Sequence, residues 1–137
     1  MIILSVDYGD KRTGIAVCDK SEILASPVKV ITQDDREKLI DEICAIVSEK
    51  AVERIVVGLP KNMDGSEGFR ATACREFGEA LSEKSGLPVV FQDERLTSVS
   101  AHHILNATDT RGKKRKAVVD AVSAVLILED YLRKADR

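Results

Sequence analysis

The chain has 137 residues, enough for one domain with a sizeable core, and its composition (44% hydrophobic, 32% charged) is that of an ordinary globular protein. A formal net charge of −2 excludes a uniformly basic surface, so any contact with nucleic acid has to be a local patch. The three cysteines, Cys18, Cys44 and Cys74, are scattered and odd in number, which argues against a disulfide framework and for small buried side chains in a reducing cytoplasm. No apolar run reaches the length of a membrane span and no signal-peptide pattern opens the sequence, so no membrane partner is expected. His102 and His103 are adjacent; on a helix their side chains diverge by ~100°, which suits a shared zinc poorly.

In chain order, Ile2, Ile3, Leu4, Ser5 and Val6 form a short run that is apolar on both faces, as a central strand covered on each side would be. Asp7 stands where the run ends. Gly9 and Gly14 bracket a charged turn, and Ile15 to Cys18 read as a second strand, giving a hairpin with an acid at the carboxyl end of its first strand. Ligand and metal sites in sheets covered by helices favour that end. Asp7 is therefore a candidate metal ligand; the alternative is an acid that merely opens a polar turn.

Ile23 to Ile31 is a further β-prone segment in which Pro27 predicts an edge position or a bulge. Asp34 to Glu37 predicts a helix start, with acids near the positive end of the helix dipole, and Leu39, Ile40, Ile43, Ile46 and Val47 carry the helical spacing to about Lys50. Arg54 to Val57 reads as a buried strand ending at Gly58-Leu59-Pro60, followed by a polar loop from Lys61 to Gly68. Phe69, Ala73, Phe77, Ala80 and Leu81 then predict one apolar helical face, stopped by Gly86 and Pro88. Val89-Val90-Phe91 is another strand, and it too ends in acids, Asp93 and Glu94, with Arg95 following.

Thr97 is a plausible cap for a short helix to about Asn106. Residues 107–112 lack an apolar period and predict a connection that is mobile without substrate. Lys113, Lys114, Arg115 and Lys116 form a basic cluster before a final helix expected over Ala117 to Leu132. Strands first, then alternating helix and strand, then helices argue for an α/β domain with one mixed sheet.

Asp120 is an unusual acid because Ala124 and Ile127 share its helix stripe, so its charge is near buried ground and costly unless paired or bound to metal. A second reading stands beside that one: if the helix starts near Lys116, Asp120 lies in the first turn and only favours the dipole. Three carboxylates from separate elements suit magnesium or manganese, which take oxygen ligands. Two such ions, about 4 Å apart, clamp the attacking and leaving oxygens of a phosphodiester. Spacing alone permits that convergence without establishing it.

Four stretches now form a set: Asp7-Tyr8-Gly9-Asp10-Lys11-Arg12-Thr13-Gly14-Ile15-Ala16-Val17-Cys18-Asp19, Gly58 to Ser66, Asp93 to Ser98, and Lys114 to Ala124. In this order, over nearly the whole chain, they resemble the YqgF family, also called RuvX, the Holliday-junction-resolvase-like pre-ribosomal-RNA nucleases of bacteria. Ser98, where a second threonine is usual, and Ser123, where alanine is usual, are departures that touch no acid. The resemblance implies an RNase H-like fold, a five-stranded mixed sheet with helices on both faces, over a single nuclease domain at residues 1–137. It implies that Asp7, an acid of the Asp93-Glu94 pair and Asp120 gather at one end of the sheet as catalytic metal ligands. The family's pattern favours Glu94, while strand parity leaves the pair open because neighbouring side chains point to opposite faces.

The implied activity is metal-dependent hydrolysis of phosphodiester bonds in 5′-end maturation of pre-16S ribosomal RNA. Lys11, Arg12, Arg95 and Lys113 to Lys116 border the acids and would hold a nucleic-acid backbone without reading its sequence. Competing readings are a Holliday junction resolvase acting on branched DNA, a non-catalytic RNA-binding ribosome-assembly factor, and an actin-like phosphotransferase, which usually requires two related domains where 137 residues give room for one. Monomer and homodimer are both compatible with the sequence.

Overall fold

The computed structural model of the chain describes residues 1–62, 64–94 and 112–134, with side chains in the last helix described from Val122 onward. The elements in chain order are β1 (Ile3–Asp7), β2 (Arg12–Cys18), β3 (Ala25–Thr32), α1 (Arg36–Lys50), β4 (Arg54–Leu59), α2 (Phe69–Ser85), β5 (Val89–Asp93) and α3 (Gly112–Leu132). The five strands form one sheet in the order β3-β2-β1-β4-β5. β1 pairs antiparallel with β2 and parallel with β4, so the sheet is mixed and the first strand is its centre. That is the place its doubly apolar composition predicts: Ile3, Leu4 and Val6 are fully buried. β3 and β5 are the edges. Pro27 lies on β3, where the pairing with β2 skips a residue after Ile15, so both the edge and the bulge are present.

The two faces of the sheet carry separate layers. Leu4, Val6, Ile15, Ile55, Val57 and Leu59 pack with Leu39, Ile43, Phe77 and Leu81, so α1 and α2 cover that face. Ile3, Ala16, Cys18 and Val56 pack with Ala124, Ile127, Leu128 and Tyr131 of α3 on the other. α1 begins at Asp35, whose Oδ1 accepts from the backbone N–H of Glu37 and Lys38 at 3.0 and 3.2 Å. It ends at Ala51, a non-glycine residue at φ 54°. α2 ends at Gly86, at φ 74°.

Two expectations are corrected. Phe69 was expected on the buried face of α2 and is 83% exposed; the buried residues are Ala71, Cys74, Phe77, Gly78 and Leu81. α2 sits close to β5 at Gly78, where a Cβ would stand 2.6 Å from Phe91 Cζ. Phe69, two residues before Ala71, points away from that contact. The last helix begins at Gly112, five residues before the expected Ala117. The basic cluster is therefore inside the helix, and Asp120 is two turns beyond its start. The dipole effect fades within the first turn, which removes the reading of Asp120 as a first-turn acid.

Candidate active site

Asp7 is the last residue of β1 and lies opposite Gly14 of β2. The parallel pairing with β4 runs to Val6 and Val57, which makes Gly58 the next neighbour of Asp7. Strand alternation puts Asp7 on the same face as Ile3 and Ser5, the face covered by α3. Glu94 comes to that face from the opposite side. It follows β5 directly and is only 6% exposed. A Cβ on Gly58 would stand 3.2 Å from the Glu94 carboxyl carbon and 2.6 Å from Ile127 Cδ1, so the missing side chain of Gly58 is the space the carboxylate fills. Gln92 pairs with Gly58 and Asp93 with Leu59, whose side chain belongs to the α1/α2 layer. The pleat thus directs Asp93 to that opposite face and leaves Glu94 on the face of Asp7.

α3 runs antiparallel to β1 and β4. Ser5 Oγ donates to the Ala124 carbonyl at 2.6 Å, and Arg54 Nη1, at the start of β4, donates to Tyr131 Oη at 2.9 Å. Going back from Ala124, the helix backbone reaches position 120 one turn nearer the carboxyl end of β1. The side chain of Asp120 is outside the described ones. Among the described residues no three His, Cys, Asp or Glu side chains form a metal-binding group.

The turn between β1 and β2 is tied to α2. Gly9 makes the turn possible, since a Cβ there would collide with the Arg12 carbonyl. The Tyr8 ring stacks on Phe77 at 4.1 Å between centroids, so Tyr8, the aromatic nearest the acids in sequence, is part of the core layer. Arg70 donates to the Tyr8 carbonyl at 2.7 Å and to Asp10 Oδ1 at 2.8 Å. Nothing local in the sequence singles out Arg70, because both partners are about sixty positions away. Lys11 is exposed at the turn, and Arg12 opens β2 on the face of Asp7. Burial pushes the Cys74 thiol up to about 11; Arg70 opposes this, and Glu94, Asp7 and Asp10 add to it.

The loop after β4 is well tied. Asp64 Oδ1 accepts from the N–H and hydroxyl of Ser66, Asn62 Nδ2 donates to Ser66 Oγ, and Arg75 holds the Glu67 carboxyl below the usual carboxylate range. Arg95, the expected Thr97 cap and residues 107–111 of the expected 107–112 connection lie outside the described residues, while Gly112 belongs to α3 and not to a connection. Lys113, Lys114, Arg115 and Lys116 occupy the first turns of α3, with their side chains outside the description.

A central strand ending in an acid, a mixed five-stranded sheet and helices on both faces define an RNase H-like fold. Two solved structures share it: Thermus thermophilus RuvC in complex with Holliday junction substrate (TM-score 0.59, 12% identity, 97% of this chain and 95% of that one), and the Fowlpox virus resolvase with its substrate Holliday junction DNA (TM-score 0.52, 13% identity, 98% and 100%). At such identities the likeness concerns the fold. The chain belongs to the RuvX family, described as Holliday junction resolvase, whose model matches residues 1–134. Relatives include proteins of Lachnospira eligens (43% identical, 100% of both chains), Oenococcus oeni (44%, 100% of this chain and 97% of that one) and Clostridioides difficile (42%, 95% and 92%), each named "Putative pre-16S rRNA nuclease". The family is one of nucleases, hydrolases acting on phosphodiester bonds.

Proposed function

We propose that this chain is a metal-dependent nuclease that matures the 5′ end of pre-16S ribosomal RNA in the cytoplasm, with residues 1–137 acting as one catalytic domain. The observation that carries this reading is the likeness, over the whole chain, to relatives named for that activity. The donor set fits hard divalent ions: Asp7 and Glu94 offer carboxylate oxygens on one face of the sheet, and the burial of Glu94 raises the benefit of a neighbouring cation. Asp7, Glu94 and Asp120 would hold magnesium or manganese as a pair of ions. When bound, such ions activate water and stabilise the leaving oxygen. The chain's own part is to fix the carboxylates on rigid elements: Asp7 on the central strand, Glu94 against Gly58, and Asp120 on a helix anchored through Ser5. Lys11, Arg12, Arg95 and Lys113 to Lys116 would contact backbone phosphates, setting the register of the substrate without choosing bases.

The family's description as Holliday junction resolvase favours a second reading, cleavage of branched DNA. Purified protein should be incubated with labelled precursor RNA and with a four-way DNA junction, each in magnesium, in manganese and in chelator. Metal-dependent cutting of the RNA supports the first reading, and cutting of the junction alone supports the second. Binding without cutting in any metal would replace both by a ribosome-assembly factor.

A further inference from the structure

Arg70 stands on the first turn of α2, and its guanidinium meets the β1–β2 turn in three ways. Nη2 donates to the Tyr8 carbonyl at 2.7 Å, Nη1 donates to Asp10 Oδ1 at 2.8 Å, and Cζ lies over the Tyr8 ring, 5.8 Å from its centroid. Two of these contacts are with fixed groups, because Tyr8 is anchored by its stack on Phe77. The third differs: the Asp10 side chain is 84% exposed, at the tip of the turn. An exposed ion pair of this kind contributes little and is screened by salt. The Arg70 side chain is 35% exposed. The carbonyl it holds belongs to Tyr8, the residue that follows Asp7 directly in the chain.

We propose that Arg70 is a phosphate-binding residue of the nucleic-acid interface, and that in the free protein Asp10 occupies the place a backbone phosphate takes. This rests on the reading of the chain as a nuclease and extends it to a residue outside the basic clusters. A phosphate oxygen can accept from Nη1 as the Asp10 carboxylate oxygen does, so one can replace the other while Nη2 stays on the Tyr8 carbonyl. The Tyr8 carbonyl and ring keep Arg70 in place during the exchange, so little side-chain freedom is lost when the phosphate arrives. The exchange trades a weak exposed pair for a phosphate contact that also releases counterions from the nucleic acid. Asp10 keeps the cation neutralised until then.

The test is binding of a fluorescently labelled single-stranded RNA oligonucleotide, followed by anisotropy in chelator over a series of salt concentrations. The proteins are the parent, Arg70→Gln, Arg70→Lys, Asp10→Asn and the Arg70→Gln/Asp10→Asn double variant, each shown to be folded by thermal melting. Loss of one phosphate contact should reduce the slope of log affinity against log salt by about 0.7 in Arg70→Gln, with Arg70→Lys retaining most of it. Asp10→Asn should bind several-fold more tightly at low salt, and that gain should vanish in the double variant. An unchanged slope in Arg70→Gln overturns the proposal, as does an equal gain from Asp10→Asn in both backgrounds, which would be a general charge effect. These outcomes leave the nuclease reading intact. A parent protein that binds no RNA would remove the reading and the proposal together.

Discussion

The carboxyl group of Glu94 lies against the bare backbone of Gly58, 3.2 Å from where a side-chain carbon would begin. Gly58 is the parallel-strand neighbour that follows the Val6–Val57 pair, so this contact brings the acid that follows β5 to the strand position beside Asp7. A side chain at Gly58 would meet the Glu94 carboxyl group where it now sits.

Gly58→Ala tests that relationship. The added methyl meets Ile127 Cδ1, a movable side-chain end, and the Glu94 carboxyl group. Overpacking of this kind costs ~1–3 kcal/mol, which a folded domain can carry. Cleavage should fall at least tenfold while the fold persists, because the carboxylate has to shift. Circular dichroism melts alongside single-turnover cleavage would check this; full activity in a folded Gly58→Ala protein would separate Glu94 from the chemistry.

Ser5→Ala removes the 2.6 Å hydrogen bond to the Ala124 carbonyl, a link from the central strand to α3. The loss should cost about 1 kcal/mol of stability, typical for one hydrogen bond. Urea unfolding would measure it. Cleavage should decline more than this stability loss accounts for, since the link anchors the helix that bears Asp120.

Cys74 gives a pH dependence. Burial pushes its thiol up from the ordinary 9.0 to about 11 in the fold. A raised folded value means the protonated form is favoured by folding, so the contribution is complete below pH 9 and is lost as pH rises toward 11. The fall should be ~1–3 kcal/mol over that window. Denaturant midpoints measured from pH 8 to 11 should drop more steeply in the parent than in Cys74→Ala; parallel curves would assign the alkaline loss to other groups.

Much of this architecture is legible in the residues. The run from Ile2 to Val6 has no polar alternation and is the central strand; Pro27 marks the edge and its bulge; Asp35 caps α1. What is illegible depends on partners far away in sequence. Whether Asp93 or Glu94 turns toward Asp7 is set by the pairing of Gln92 with Gly58, a register no local pattern contains. Arg70 acts on Tyr8 and Asp10 across about sixty residues. Phe69 has helical spacing with Phe77, yet the buried face of α2 is chosen by its close approach to Phe91 at Gly78. The start of α3 is hidden because its first turns are basic and show no apolar period.

The most direct measurement is cleavage of labelled precursor 16S RNA by the parent and by Asp7→Asn, side by side in magnesium, manganese and chelator. Asparagine keeps the size and most of the hydrogen-bonding capacity of the side chain and removes the charge that would hold a divalent ion, so the fold should persist. The expected result is cutting by the parent only with metal, no cutting by Asp7→Asn, and RNA binding in chelator that is retained by the variant and weakens as salt rises. Cleavage by Asp7→Asn at the parent's rate with the same metal dependence would contradict the account.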